Sequence, residues 1–242
     1  MVHTLPDYTT KYKLTTIFSQ LDTGELAARL DSINTYDRRG NVIWYDDFES
    51  TTLKWASSTD GAGAAVAVST TAARNGSSSV KLTGGSDDGR FAAITKHLQL
   101  PVFKRIGLET SFTLDENVDF LQLSLTTLKS GVYATGILKV SLSDDKIYFY
   151  NSAEAWEAIL TGLSLRKFTD LFYTVKLVVD WENLKYIRAL FENQEVDLSD
   201  EDLPRPDAPI GDKVWVQIYI HSLPDVNGIS YIDDFIYTQN ES

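Results

Sequence analysis

The sequence predicts an all-β protein, an antiparallel β-sandwich over residues 42–242 that follows an extended N-terminal arm with a short helix over residues 1–41. From residue 42 onward, short runs of β-branched and aromatic residues alternate with clusters of Gly, Asn, Asp and Ser. Residues 106–114 alternate between an apolar face and a small or polar face, the period of a half-buried strand. The motif Asp-Asp-Phe occurs at residues 46–48 and again at 233–235, which indicates that the first and last strands are neighbours.

Composition excludes several classes of protein. The 242 residues are 43% hydrophobic, which is ample for a core, and the formal net charge of −12 gives no long-range attraction to nucleic acid. The chain has no Cys, so disulfides, thiolate zinc sites and cysteine nucleophiles are excluded. We find no run of about 18 apolar residues and no signal-peptide pattern, so neither membrane insertion nor secretion is expected.

The N-terminal region predicts an arm and one helix. Residues 1–21 are rich in Thr and Tyr without a sustained period, which is typical of an extended segment that lies on a surface. Asp22 or Thr23 can cap the good helix formers of residues 25–30, with Leu26 and Leu30 on the apolar side.

The rest of the chain predicts about twelve strands at the spacing of a sandwich. Residues 152–160 fit either a helical turn or a strand, and the neighbouring strands favour a strand. Residues 199–209 combine acidic residues with three prolines, which predicts a long loop rather than a central strand. The remaining predicted strands are residues 42–45, 66–69, 79–82, 91–97, 106–114, 120–125, 137–142, 146–150, 172–181, 186–191, 214–221 and 229–237.

One segment resembles phage proteins. The run ELAARLDSINTYDRRGNVIWYDDFES, residues 25–50, resembles the N-terminal region of structural proteins of tailed phages and prophages. The resemblance implies a virion component that is made in the host cytoplasm, which agrees with the missing signal peptide. It also implies that the arm binds other virion subunits or further copies of the chain.

The body resembles jelly-roll carbohydrate-binding modules and the related concanavalin-like lectin and laminin-G sandwiches. The matching motifs are the opening D-F-E with Trp55 six residues after Glu49, the G-x-x-S-V-K-L run of residues 76–82, the run YTVKLVVDW of residues 173–181, and the closing I-D-D-F. The resemblance implies a jelly-roll sandwich. Fold does not determine function.

A calcium site is one implication of that resemblance. Jelly-roll modules often hold a structural calcium where the first and last strands meet, and calcium takes six to eight oxygen ligands. Adjacent strand residues point to opposite faces, so one member of each Asp pair is expected to face such a site. We expect Asp47, Glu49 and Asp234 as ligands. The alternative is that they are edge-strand charges, since no EF-hand spacing is present.

Aromatic residues are the second candidate site, because sugar rings stack on exposed indole and phenol faces. Trp55, Trp181 and Trp215 lie in apolar strand contexts and are expected in the core. Trp156, between two glutamates, and Tyr148 with Tyr150, which share a strand face, are expected to bind a ligand. The alternative is that they are ordinary, partly buried sheet aromatics.

Catalysis has little support in the sequence. His3, His97 and His221 lack metal-ligand spacing partners, and no G-x-S-x-G motif is present. Concanavalin-like glucanases carry an E-x-D-x-x-E strand, and here Glu109 stands without further acids on its strand. The trio of residues 180–182, Asp-Trp-Glu, is the nearest acidic alternative, at a strand end where turn acceptors are common. We therefore predict no catalytic residues.

Two functions remain open. The first is a non-catalytic structural or decoration component of a phage-like virion that displays the sandwich, which can itself bind glycans. The second is a carbohydrate-binding, lectin-like module that recognises cell-surface glycans, with no tie to a virion. A polysaccharide hydrolase is a third alternative with fewer motifs in its favour.

Overall fold

The computed structural model describes residues 37, 39–87, 89–98, 104–129, 132–205 and 213–242, and all structural statements below concern these residues. The chain divides into two units, Met1–Asp37 and Arg38–Ser242, and the account below is of the second. The first 36 residues of the predicted arm, with its short helix, and residues 206–209 of the predicted acidic loop lie outside the described residues. In the described part of the chain, no helix has the length and apolarity needed to cross a membrane.

Fifteen strands within the described residues form two antiparallel sheets. The first seven strands are β1 (Asn41–Asp46), β2 (Ala56–Asp60), β3 (Ala65–Ser69), β4 (Ser79–Thr83), β5 (Phe91–Leu98), β6 (Arg105–Phe112) and β7 (Val118–Lys129). The others are β8 (Val132–Ser141), β9 (Lys146–Tyr150), β10 (Trp156–Leu160), β11 (Tyr173–Asp180), β12 (Lys185–Phe191), β13 (Gln194–Asp197), β14 (Lys213–Ser222) and β15 (Ile229–Gln239).

The two sheets form a sandwich. Sheet A has the hydrogen-bonded order β13-β12-β11-β6-β15-β4-β3, and β1 also pairs with β15. Sheet B has the order β10-β9-β8-β7-β14-β5-β2. Apolar side chains of both sheets form one buried cluster, for example Leu108 and Leu177 from sheet A and Leu123 and Ile218 from sheet B. This architecture confirms the predicted antiparallel β-sandwich.

Two sequence interpretations need correction or refinement. Residues 106–114 were expected to form a half-buried strand, yet Glu109, Ser111 and Thr113 on the polar face are buried as completely as the apolar residues between them. Residues 152–160 were expected as a strand, and only Trp156–Leu160 form one. The side chain of Asn151 accepts hydrogen bonds from the backbone N–H groups of residues 153 and 155, so a turn precedes β10.

The first and last strands are neighbours, as the repeated Asp-Asp-Phe motif predicted. β1 pairs with β15, with Trp44 opposite Tyr237 and Asp46 opposite Phe235. The ring of Trp44 lies 5.6 Å from that of Trp55 and 5.2 Å from that of Phe235. The motif therefore closes sheet A and supplies an aromatic cluster at one edge of the core.

Replacing Asp46 with Ala is expected to lower the free energy of unfolding by about 1–3 kcal/mol. The buried Asp46 carboxylate accepts hydrogen bonds from the Trp55 indole N–H at 3.1 Å and from the backbone N–H of Phe48 at 3.2 Å. Urea denaturation followed by tryptophan fluorescence measures the loss. In the matched control Asp47→Ala, which removes a more exposed carboxylate, a loss below about 1 kcal/mol is expected; equal losses would contradict this role of Asp46.

Candidate functional site

The outer face of sheet B, the side turned away from the core, is built by strict alternation along its strands. On β14, Val216 and Ile218 are buried in the core, while Trp215, Gln217 and Tyr219 point to the outer face and are half-buried. Trp215 was expected in the core, and that prediction is wrong. Its strand neighbours are apolar because they face the core, and the indole lies on the opposite side.

A depression of about 340 Å³ lies in this outer face. Short polar side chains, Ser124, Thr126 and Thr135, form its floor, and the hydroxyl oxygens of Thr126 and Thr135 are 2.9 Å apart. The floor is low because these three residues are small and buried. Larger side chains stand around the floor, among them Tyr133, Tyr150, Trp215 and Gln217. We call this feature the central depression.

The predicted ligand-binding aromatics meet at one edge of the same face. Trp156 pairs with Tyr150 across β10 and β9, and their ring centroids are 5.0 Å apart. The ammonium of Lys139 lies 4.3 Å from the centroid of the Trp156 ring and 4.6 Å from that of Tyr148. Trp156 is 37% exposed. The structure thus brings Tyr148, Tyr150 and Trp156 together, while ligand binding by them stays a prediction.

A second aromatic group occupies the end of the outer face near the C-terminus of β14. The rings of Phe120 and His221 stack at 5.0 Å with an interplanar angle of 14°, and Tyr219 stacks between Phe91 at 5.2 Å and Phe120 at 5.9 Å. We call Phe91, Tyr219, Phe120 and His221 the aromatic row. A depression of about 450 Å³ adjoins the row and is lined by His221 and Arg90.

The surroundings of the row lower the pKa of His221. Burial and the neighbouring Arg90 guanidinium lower the pKa of His221 below its usual value, although Asp119 opposes this shift. The Nδ1 atom of His221 lies 3.5 Å from an oxygen of Asp119. A neutral imidazole can donate one hydrogen bond and accept another, and the Nδ1 atom of His221 makes no hydrogen bond within the described residues.

The predicted calcium ligand Glu49 has protein partners. Its carboxylate accepts hydrogen bonds from the backbone N–H groups of Ser77 at 2.7 Å and Ser78 at 2.8 Å, and from the Ser77 hydroxyl at 2.7 Å. These hydrogen bonds lower the pKa of Glu49. Glu49 therefore fastens the loop before β4, whose Gly76 leaves space for the carboxylate.

The other two predicted ligands are engaged elsewhere. Asp47 accepts a hydrogen bond from the backbone N–H of Glu49 at 3.2 Å, and Asp234 accepts one from the Tyr45 hydroxyl at 3.0 Å. Across the described ranges, no group of three or more His, Cys, Asp or Glu side chains could hold a metal ion. The structure thus does not assemble Asp47, Glu49 and Asp234 into a metal site, and calcium binding stays a prediction.

The expectation that only one aspartate of each pair faces a shared site is wrong for Asp233 and Asp234. The Asp233 carboxylate accepts hydrogen bonds from the backbone N–H groups of Arg74 at 2.7 Å and Asn75 at 3.3 Å, and Asp234 accepts one from the Asn75 side chain at 2.5 Å. The register with β6 shifts between Asp233 and Ile236, and Asp234 has φ of 49°. Such a bulge breaks the alternation, so both carboxylates reach one loop.

The acidic residues considered for catalysis have structural roles. Asp180 accepts hydrogen bonds from the backbone N–H groups of Glu182 at 2.9 Å and Asn183 at 3.0 Å, so it is the turn acceptor that its strand-end position suggested. Glu109 is 2% exposed and lies 3.9 Å from the Lys176 ammonium on sheet A. Neither carboxylate lines the central depression.

Apart from Tyr150, the residues of the central depression and of the aromatic row were missed from the sequence. Their signal was present on β14, where Val214, Val216, Ile218 and Ile220 leave every second position to a polar or aromatic residue. Because the inward and the outward side chains of β14 are both bulky, the strand resembles one that is buried on both faces when only hydrophobicity is counted. Assigning each β14 residue to a face would have placed Trp215, Tyr219 and His221 on the outside.

Comparisons with known proteins place the chain in a fold class. No protein-family model matches the sequence, and no curated protein matches it significantly. Among solved structures, the cellulose-induced protein Cip1 matches 82% of this chain and 98% of its own, at 15% identity and a TM-score of 0.51. The endo-β-1,4-glucuronan lyase of the fungus Trichoderma reesei matches 82% of this chain and 95% of its own, at 11% identity and a TM-score of 0.54.

These likenesses confirm the fold predicted from the sequence, and at such low identity they establish the fold alone. The predicted relation to phage structural proteins receives no support from them. Residues 25–36 of the segment that carries that relation also lie outside the described residues. A role in a virion, and localisation to one, therefore stay predictions.

Proposed function

We propose that the chain is a non-catalytic glycan-binding module and that the outer face of sheet B is its binding surface. Of the two functions that the sequence left open, the site geometry favours the lectin-like module over the virion component. The observation that carries the proposal is the central depression, where a floor of Ser124, Thr126 and Thr135 lies between the aromatic side chains Tyr133, Tyr150 and Trp215.

This arrangement matches the chemistry of a sugar. A sugar ring offers apolar C–H faces and a rim of hydroxyls, so it needs aromatic surfaces beside hydrogen-bonding groups. The rings of Tyr133 and Trp215 lie 5.8 Å apart at one side of the depression, and Tyr150 with Trp156 forms another wall. The hydroxyls of the floor and the amide of Gln217 supply donors and acceptors.

The dimensions favour an extended chain over a single sugar. Trp215 and His221 lie six residues apart on β14, which corresponds to roughly 20 Å along a strand. Aromatic or polar residues occupy every outward position between them, Gln217 and Tyr219 included. The surface therefore offers room for several consecutive sugar units of a polysaccharide.

The absence of catalysis is part of the proposal. Glycosidases place two carboxylates on either side of the scissile bond. Among the described residues that line the central depression, Glu154 is the one carboxylate. Asp144, on the same side of sheet B, accepts the Tyr148 hydroxyl and pairs with Lys146 at 3.4 Å. This arrangement supports binding without hydrolysis.

Affinity electrophoresis in gels containing β-glucan, xylan or polyglucuronate tests the proposal. We expect at least one polysaccharide to retard the protein. Trp215→Ala and Trp156→Ala are each expected to weaken that retardation by about tenfold, the equivalent of about 1.4 kcal/mol for a lost ring contact. Phe168→Ala is the control, because Phe168 is 57% exposed in the segment between β10 and β11.

Two results would contradict the proposal. The first is no retardation by any of the three polysaccharides, which would remove the basis for a glycan-binding module. The second is release of reducing ends during incubation that disappears in Glu154→Gln, which would show a hydrolase instead. Circular dichroism of each variant separates loss of binding from loss of fold.

A further inference from the structure

Two cations flank the aromatic row of an otherwise acidic protein. The formal net charge is −12, yet Arg90 and Lys139 lie beside the ring stack of Phe120, Tyr219 and His221. These two cations are informative, because a net negative chain gives no long-range attraction to anions.

Arg90 is positioned at the mouth of the 450 Å³ depression. It lines that depression together with His221. Burial lowers the pKa of His221 and raises that of Tyr219. The charge of Arg90 lowers the pKa of both groups. In the part of the chain that the structure describes, the Arg90 guanidinium makes no ion pair and no side-chain hydrogen bond. Its five N–H donors have no such partner among these residues, and the geometry of a guanidinium suits a planar anion.

Lys139 occupies the opposite side of the row. Its ammonium lies 5.7 Å from the Phe120 ring and close above the rings of Tyr148 and Trp156. Burial lowers the pKa of Lys139, whereas Asp144 and Asp119 raise it. No ion pair of this ammonium occurs among the described residues, so its contacts are with ring faces.

Among the described residues, five carboxylates lie near the row, and four of them have partners of their own. Asp119 lies 3.5 Å from His221, and Asp144 contacts Tyr148 and Lys146. Asp60 accepts a hydrogen bond from the Gly61 backbone N–H at 2.9 Å. Asp87 accepts one from the Ala62 backbone N–H at 2.5 Å. Asp225 lines the same depression as Arg90 at an exposed position, where water and salt screen its charge.

We propose that the aromatic row, with Arg90 and Lys139, binds the anionic group of an acidic polysaccharide, a carboxylate or a sulfate. This inference rests on the proposed glycan-binding function and specifies its ligand class. A sugar unit lies over the outer edges of Tyr219 and Phe120, whose faces stack on neighbouring rings, and its anionic substituent lies beside Arg90 or Lys139. His221 adds a hydrogen bond to a substituent that lies beside Arg90.

Isothermal titration calorimetry at 20 mM and 150 mM salt tests the inference with polyglucuronate, dextran sulfate, neutral xylan and β-glucan. The intact protein is expected to bind one of the two polyanions at least about tenfold more tightly than the neutral chains. Arg90→Gln is expected to reduce that binding by at least about tenfold, and Arg90→Lys is expected to reduce it by less. The double variant Arg90→Gln with Lys139→Gln is expected to abolish the preference for the polyanion over the neutral chains. Lys81→Gln removes a cation from β4 of sheet A and is expected to change nothing.

The outcomes separate this inference from the proposed function. Preference for polyglucuronate assigns the site to carboxylates, and preference for dextran sulfate that depends on Arg90 assigns it to sulfates. Equal binding of charged and neutral chains, or a preference that Arg90→Gln leaves intact, overturns the acidic-ligand inference while glycan binding stands. Binding of no polysaccharide overturns both. As a second readout, glucuronate alone is expected to shift the imidazole NMR signals of His221 in the intact protein and not in Arg90→Gln.

Discussion

Replacing Glu241 with Ala is expected to lower the free energy of unfolding by about 3–5 kcal/mol, the loss typical of removing one member of a buried charge network. Glu241 is fully buried on the outer side of sheet A. One carboxylate oxygen lies 2.7 Å from the Lys176 ammonium and accepts the Thr238 hydroxyl at 2.5 Å, and the other binds the Arg188 guanidinium. Without the carboxylate, two buried cations lose a shared counter-charge.

The surrounding backbone is shaped for this side chain. A Cβ atom at Gly107 would lie 2.5 Å from a Glu241 carboxylate oxygen, and one at Gly40 would meet the same atom at 2.5 Å. Gly40 also has φ of 82°, a conformation that side chains other than glycine rarely adopt. The two glycines create the space into which Glu241 fits.

Urea denaturation at pH 7 measures the effect. Glu241→Gln keeps the shape and removes the charge, so it is expected to lose most of the same stability. Glu182→Ala, at an exposed position in the turn after β11, is the control and is expected to stay within about 0.5 kcal/mol of the parent. A loss below about 1 kcal/mol for Glu241→Ala would show that the network of Glu241, Lys176 and Arg188 contributes little to stability.

The outer faces of the two sheets differ in burial and in the side chains they carry. Sheet A buries Glu109, Lys176, Arg188 and Glu241 on its outer side, where Glu241 binds both cations and Glu109 lies 3.9 Å from the Lys176 ammonium. Sheet B leaves its outer side half-buried and lined by rings and short hydroxyls. The proposed binding surface therefore lies on sheet B, where the outward side chains are only half-buried.

How far the sequence predicts this structure depends on the strand. The alternation of residues 106–114 located β6, and the repeated Asp-Asp-Phe motif located the pairing of β1 with β15. The sequence interpretation missed β2 and β13, since their residues are short, polar and mostly exposed. Both are edge strands, and an edge strand that packs little apolar surface carries no periodic hydrophobic signal.

Part of the candidate site could be predicted from the sequence, and the sequence neighbours of each residue decided which part. Trp156 was recognisable because Glu154 and Glu157 lie close to it in sequence, and Tyr148 with Tyr150 because they share one face of a strand. Trp215 was not, because its neighbours are core residues. The polar face of β6 was misjudged as exposed, because burial of Glu109 depends on Lys176 and Glu241, which lie 67 and 132 positions further along the chain. Such partners become neighbours only through the sheet.

Asp233→Asn is expected to change how stability depends on pH, by up to about 4 kcal/mol between pH 4 and pH 8. Burial, and next the charge of Asp234, raise the pKa of Asp233 from 3.8 to about 7, although three backbone N–H groups favour its charged form. In this window the folded protein binds more protons than the unfolded chain at this residue. The contribution of Asp233 is therefore fully present below pH 3.8 and is lost as pH rises through 7.

Urea denaturation of the parent and of Asp233→Asn at pH 4.5, 6 and 7.5 isolates this contribution. The asparagine cannot ionise, so the stability of Asp233→Asn relative to the parent is expected to increase with pH.

The lowered pKa of His221 acts in the opposite direction, since a neutral imidazole is favoured in the folded state and its contribution to stability grows with pH. That contribution is common to both proteins and cancels in their difference. Asp170→Asn, at an exposed position, is the control. Its free energy of unfolding is expected to differ from that of the parent by the same amount at all three pH values. Parallel pH profiles for the parent and Asp233→Asn would show that Asp233 is ionised in the folded protein across this range, and that its backbone hydrogen bonds outweigh burial beside Asp234.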